Sequence, residues 1–112
     1  MPKFMLLYRG PATPPEAMSP EERDRNMAAY MAWLERVGSG VVDMGLPMVG
    51  ERSLDDRGGV SAPAHLNGYT VVQADDMDGA MKFVEGHPFL ADKSGRFNVD
   101  VYEMMTMPGS GG

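Results

Sequence analysis

Hydrophobic positions along this chain change period several times, and the changes mark out four strands and two helices. Lys3 to Arg9 (KFMLLYR) predicts a first strand, with Phe4, Leu6 and Tyr8 on one face and Met5 and Leu7 on the other. Both faces are apolar, so both are expected to be covered. Ser19 then opens a helix as its N-cap, Pro20 takes the first turn and Glu22 completes a capping box. Met27, Tyr30, Met31, Leu34 and Val37 give its apolar stripe, Gly38 ends it, and Trp33 lies off the stripe's centre.

Val41 to Val49 predicts a second strand, weakened by Gly45 and Pro47, which point to a bulge, an edge or an early end. Gly50 to Asn67 has no helical stripe. Within it, Leu54 to Val60 resembles an irregular hairpin turning near Asp56 to Gly59. Tyr69 to Ala74 is β-branched and aromatic, the composition of a strand covered on both faces. Asp75 or Asp76 caps the following helix, whose stripe is Met77, Ala80, Met81 and Val84. Gly86 suits a left-handed C-cap, and Pro88 keeps the helix from resuming. Phe97 to Met104 alternates as a last strand, Val99 and Val101 facing one way and Tyr102 and Met104 the other.

The order β-α-β-(long loop)-β-α-β predicts an α+β, ferredoxin-like split βαβ: an antiparallel four-stranded sheet with two helices on one face. Residues 1–107 form one domain in this reading, and 108–112 a glycine-rich tail expected to fray. Two helices cover one sheet face only. The apolar groups left on the other face predict a homodimer through the open sheet.

Composition narrows the function classes. A net charge of −6, with no run of Lys or Arg, argues against nucleic acid. The absence of cysteine removes disulfides, thiol nucleophiles and zinc-thiolate sites. No apolar span is long enough to cross a membrane, and no secretory leader is recognisable, so a cytoplasmic protein is expected. Twelve methionines is a high count. Their helical spacing predicts core filling, with an adaptable pocket lining as the alternative. Dinucleotide, P-loop and serine-hydrolase motifs are missing, and the acidic run Asp75, Asp76, Asp78 is accounted for by helix capping. Neither a cofactor nor a metal site is expected.

Lys3-Phe4-Met5-Leu6-Leu7-Tyr8, Ser19-Pro20-Glu21-Glu22, Gly68-Tyr69 through Asp75, Gly86-His87-Pro88-Phe89 and Val99-Asp100-Val101-Tyr102-Glu103 resemble, in order and spacing, the YCII-related proteins of the dimeric α/β-barrel superfamily. The resemblance covers nearly the whole chain. It implies a ferredoxin-like protomer, a barrel-forming homodimer and a small-molecule pocket beside each sheet. In part of that family a histidine and an aspartate are proposed as an acid-base pair, and a few relatives look like enzymes acting on chlorinated aromatic ring products. This sequence has no histidine in the loop after the first strand or at the start of the first helix, and Ala64-His65-Leu66 occupies the approximate place of the related branch's Asp-Gly-Pro-Phe segment.

The titratable candidates are Asp43, His65 and His87. His87 follows a helix C-terminus, where the dipole favours the cationic ring; it reads either as an acid-base group at a pocket mouth or as a simple dipole partner. His65 lies in the long loop beside Pro63. Asp43, between Val42 and Met44, is either a general base facing a dry pocket or a solvent-facing edge residue. Tyr8, Arg9 and Tyr69 are the candidate ligand-binding residues, Arg9 by a bidentate grip on a carboxylate. The expected function is small-molecule binding, extending to cofactor-free proton-transfer chemistry of the isomerase, lyase or dehydrochlorinase kind. The alternative is a noncatalytic dimeric ligand-binding or accessory module.

Overall fold

The computed structural model describes residues 1–11 and 15–106, so the expected tail at 108–112 lies outside the described residues. The strands are β1 (Lys3–Arg9), β2 (Val41–Asp43), β3 (Ser53–Leu54), β4 (Val60–Ser61), β5 (Leu66–Gln73) and β6 (Asn98–Met104). The helices are α1 (Pro20–Val37) and α2 (Met77–Val84). Four strands form one antiparallel sheet in the order β2-β5-β1-β6, and β3 pairs with β4 in a separate hairpin. This is the expected α+β arrangement.

Both helix starts follow from local chemistry. Ser19 accepts the Glu22 N–H through its side chain, and Asp76 accepts that of Gly79. The strand register sorts the side chains. Phe4, Leu6 and Tyr8 stand opposite Val72, Thr70 and Gly68 on β5, and opposite Glu103, Val101 and Val99 on β6. That face packs against Trp33 and Val37 of α1 and Ala80 and Val84 of α2. Phe4, Leu6 and Val72 are fully buried, each worth about 2 kcal/mol of apolar transfer.

The methionines depart from expectation. Met27 and Met31 are 62% and 55% exposed while Trp33 is 3% exposed, so the buried stripe of α1 runs through Tyr30, Trp33, Leu34 and Val37. In α2 the core is made by Ala80 and Val84, with Phe83 packed against it, and Met81 is left exposed. Among the described residues no methionine belongs to the buried core cluster. The stripe is rotated because Trp33 carries a larger ring and finds a partner for its N–H. Its indole Nε1 donates to the Phe83 carbonyl at 2.6 Å.

The second strand is shorter than the predicted 41–49. β2 stops at Asp43, and beyond it Pro47 makes a lone bridge to Gly68. Gly45 is the cause: its φ is +74°, and a Cβ there would run into the Tyr69 carbonyl. β2 is therefore an edge strand that ends early, and its continuation lies close against β5. The loop after it does contain a hairpin. Asp55 Oδ1 accepts the N–H groups of Arg57 and Gly59, which holds its carboxyl below the usual range and fixes the turn.

Gly45→Ala is expected to destabilise the fold by well over 1 kcal/mol, adding a steric collision to the left-handed backbone cost. Gly50→Ala, at φ +89° with nothing within 4 Å of the new methyl, carries the backbone cost alone. Urea denaturation of the two variants should show the larger loss at Gly45; equal losses would mean the close approach to Tyr69 is unimportant.

Candidate functional site

One cavity of about 620 Å³ opens between the C-terminal end of β1, α1 and the segment after α2. This is a usual size for a small-molecule pocket. Its wall includes Tyr8, Tyr30, Asn67, His87 and Phe89. Each arrives there by a separate local cause. Tyr8 is the last core-facing residue of β1, and Tyr30 lies one turn before Trp33 on the buried side of α1. His87 follows the helix-ending Gly86 and caps a short turn at Pro88–Leu90.

His87 is 4% exposed and is walled in by aromatic rings. Its ring centroid lies 4.4 Å from that of Trp33, 4.9 Å from Tyr8 and 6.1 Å from Tyr30. The helix dipole would favour a charged imidazole by about 0.3–1 kcal/mol at a typical terminus. Burial acts the other way and is larger: with a smaller contribution from Arg36, it lowers the His87 pKa from 6.5 to about 4. That fall corresponds to about 3 kcal/mol against the cation. The ring is therefore neutral at pH 7, which corrects the expectation of a cationic dipole partner.

The hydrogen bonds around this neutral ring have only one consistent direction. His87 Nδ1 accepts the Phe89 N–H at 3.0 Å, so the ring proton is on Nε2. Nε2–H donates to the Tyr8 hydroxyl at 3.1 Å. Thr70 donates to the Met44 carbonyl at 3.0 Å, since a carbonyl only accepts. Tyr8 must then donate to Thr70 Oγ1, at 2.7 Å. The chain runs Phe89, His87, Tyr8, Thr70, Met44, and Tyr30 donates to the same Met44 carbonyl at 3.3 Å. Burial pushes the Tyr8 phenol up to about 12, the Thr70 bond opposing the rise. Tyr8 is a weak acid that keeps its proton at rest.

The other candidates are distributed differently. Asp43 is exposed at the end of β2, its Oδ1 accepting the Gly45 N–H at 2.9 Å, and it does not meet His87. Arg9 holds Asp100 in a two-point contact at 3.0 and 3.2 Å on the exposed sheet surface. Tyr69 lines an apolar groove of about 360 Å³ that shares Tyr8, Tyr30 and Asn67 with the main cavity. His65 stands behind Asn67, with Nε2 3.2 Å from its Oδ1 and Nδ1 3.3 Å from Glu51. Thr70 and Asn67 were not singled out from sequence, and Trp33 only as lying off the apolar stripe of α1. Thr70 carried a signal, a lone hydroxyl in an apolar strand with a core-facing tyrosine elsewhere. Among the described residues no group of three or more His, Asp or Glu converges to hold a metal, and no helix is long and apolar enough to cross a membrane.

A neutral buried His87 makes stability depend on acid. The unfolded ring binds a proton below about 6.5 and the folded ring only below about 4, so stability is level above this window and falls as pH drops through it. The difference in unfolding free energy between the native chain and His87→Gln should shrink by about 1.4 kcal/mol per pH unit across that window. Denaturation at pH 7, 5.5 and 4.5 measures it; a constant difference would place a charged or exposed ring at position 87.

Comparison with known proteins agrees with this fold. None of the curated proteins matches the chain. Among solved structures, it is similar to 5-chloro-2-hydroxyhydroquinone dehydrochlorinase (TftG) from Burkholderia phenoliruptrix AC1100, in complex with 2,5-dihydroxybenzoquinone. Identity is 25% over 92% of this chain and 93% of that one, with a TM-score of 0.53. The family model for the YCII-related domain matches residues 1–105, and the chain belongs to the YCII-related family.

Proposed function

We propose that the protein binds a small oxygenated organic ring in the 620 Å³ cavity and, without a cofactor, moves a proton on it. The observation that carries this reading is the hydrogen-bonded pair His87–Tyr8, buried in the cavity wall and fully directed. The similarity to a dehydrochlorinase seen with a dihydroxybenzoquinone supports the ligand class.

Keto–enol isomerisation suits the pair best. Thr70 can turn its hydroxyl from the Met44 carbonyl to the Tyr8 oxygen, because Tyr30 still satisfies that carbonyl. Tyr8 is then free to donate to a substrate carbonyl. The Tyr8 O–H bond breaks as a substrate O–H bond forms, and His87 Nε2–H and the Thr70 hydroxyl hold the phenolate. The phenolate takes a proton from the carbon next to the former carbonyl, the electron pair becomes the enol double bond, and Tyr8 is restored. His87 acts here as a hydrogen-bond donor to the phenol oxygen. It has no free lone pair to serve as a base, since Phe89 occupies Nδ1.

Tyr8→Phe should lower the rate of enol–keto interconversion, across a panel of aryl enols and hydroxyquinones, by at least about 100-fold with binding retained. Unchanged turnover would remove Tyr8 from the chemistry. Binding without turnover in the native protein would favour the second reading, a noncatalytic ligand-binding module, to which the occupied nitrogens of His87 already lend weight.

The open sheet face fits a homodimer. The register places Met5, Leu7, Tyr69, Val71, Tyr102 and Met104 on the side away from the helices, and Tyr102 is 59% exposed. Tyr102→Glu is expected to shift the protein from dimer to monomer in analytical ultracentrifugation; a monomeric native protein would overturn this part of the proposal.

A further inference from the structure

The main cavity has a neighbour. A groove of about 360 Å³ lies beside it, and Tyr8, Tyr30 and Asn67 belong to the walls of both. Two spaces with three wall residues in common are adjacent, so a molecule seated against Tyr8 in the larger one is within a few bonds of the smaller.

The groove differs from the cavity in what it can bind. Met27 comes to it from α1, Met44, Leu46 and Pro47 from the segment after β2, and Tyr69 from β5. Among the described residues no charged side chain lines it. The backbone along it is already engaged: the Met44 carbonyl accepts from Thr70 and Tyr30, the Gly45 N–H is taken by Asp43, and Pro47 has no N–H to give. A polar ligand group would find few partners there, whereas an apolar one gives up no hydrogen bond on entering.

The same walls are costly to leave empty. Met27, Met44 and Leu46 are 62%, 54% and 71% exposed, and large apolar side chains gathered around one depression mark a binding surface. None of the three is among the residues that the register places on the open sheet face, so the dimer proposed above does not account for them. Two of them are methionines, whose unbranched thioether chains repack around different shapes.

We infer that the groove is a hydrophobic subsite of the main cavity. Its ligand class is an oxygenated ring that carries an apolar side chain, the ring oxygen at Tyr8 and the chain in the groove. This assignment rests on the small-molecule reading above and deepens it. Because Met27 and Met44 adapt, the subsite takes linear and branched chains of similar size alike.

A series of phenol, 4-ethylphenol, 4-butylphenol and 4-hexylphenol tests the subsite by NMR titration of the native protein, Leu46→Asn and Met27→Gln. Both substituted residues stand outside the buried core, and the amide spectrum of each variant checks that it folds. Native affinity should rise about two- to fourfold per methylene, the upper figure being that for complete burial, and level off once the groove is filled. Each variant should flatten the rise and leave the affinity for phenol unchanged. A flat native series, a rise that neither variant alters, or equal weakening of phenol and 4-hexylphenol would overturn the subsite while leaving the small-molecule reading in place. Sedimentation of Leu46→Asn adds a further check: a native dimer that this substitution dissociates would assign the groove to a second copy of the chain and overturn the subsite. Failure of every phenol to bind the native protein would bring down the reading above, and this inference with it.

Discussion

A buried imidazole whose two nitrogens are both satisfied is the constraint on which this end of the molecule depends. Leaving either nitrogen unpaired among Trp33, Tyr8 and Tyr30 would cost about 1–3 kcal/mol, and charging the ring costs a similar amount. Each neighbour is therefore held to one role. Phe89 must present its N–H, which requires the short turn at Pro88; Tyr8 must present its oxygen, which requires the β1 register that puts it on the helix side of the sheet. The end of α2 is held to match. Trp33 and Arg36 both donate to the Phe83 carbonyl, and Arg36 reaches Glu85 as well, so the last turn of α2 is fastened to α1 just before the chain reaches His87.

The far end of the chain of hydrogen bonds is set by a backbone device rather than a side chain. Because Gly45 lets the segment after β2 lie against Tyr69, the Met44 carbonyl comes within reach of both Thr70 and Tyr30. Two donors on one carbonyl is a redundancy with a chemical use. One of them can leave without orphaning the acceptor, so the Thr70 hydroxyl is able to turn toward Tyr8 once the Tyr8 proton has another acceptor.

Much of the fold was legible because its signals are local. The Ser19 capping box, Asp76 before α2, the break at Gly86-His87-Pro88 and the turn near Asp56 to Gly59 are decided within a few residues, and each stands where the sequence places it. The helical stripe of α1 was less legible. Periodicity finds a stripe but fixes its centre poorly when Met27, Met31 and Trp33 compete, and the Phe83 carbonyl that decides for Trp33 is 50 residues away. The candidate site was legible in its members more than in their roles. Tyr8 and His87 are visible as a strand end and a helix exit; that they meet across 79 residues, and that enclosure outweighs the helix dipole, are tertiary facts.

Asp43 and Asn67 show why residue type alone misleads in such a site. A carboxylate in a strand looks like a general base, yet at the tip of an edge strand the nearest donor is the Gly45 N–H and the group remains in water. An asparagine beside a strand looks like a loop residue, yet it is held by Gly10 and His65 at the junction of two cavities. What separates them is the number of independent segments that converge on each side chain. One contact within two residues is satisfied by local geometry and leaves the group free to follow solvent. Asn67 has a neighbour contact too, with His65, but adds one across 57 residues to the Gly10 carbonyl, and the distant contact fixes its orientation. By that measure the proposed site lies where β1, α1, the β2–β5 connection and the exit from α2 come together.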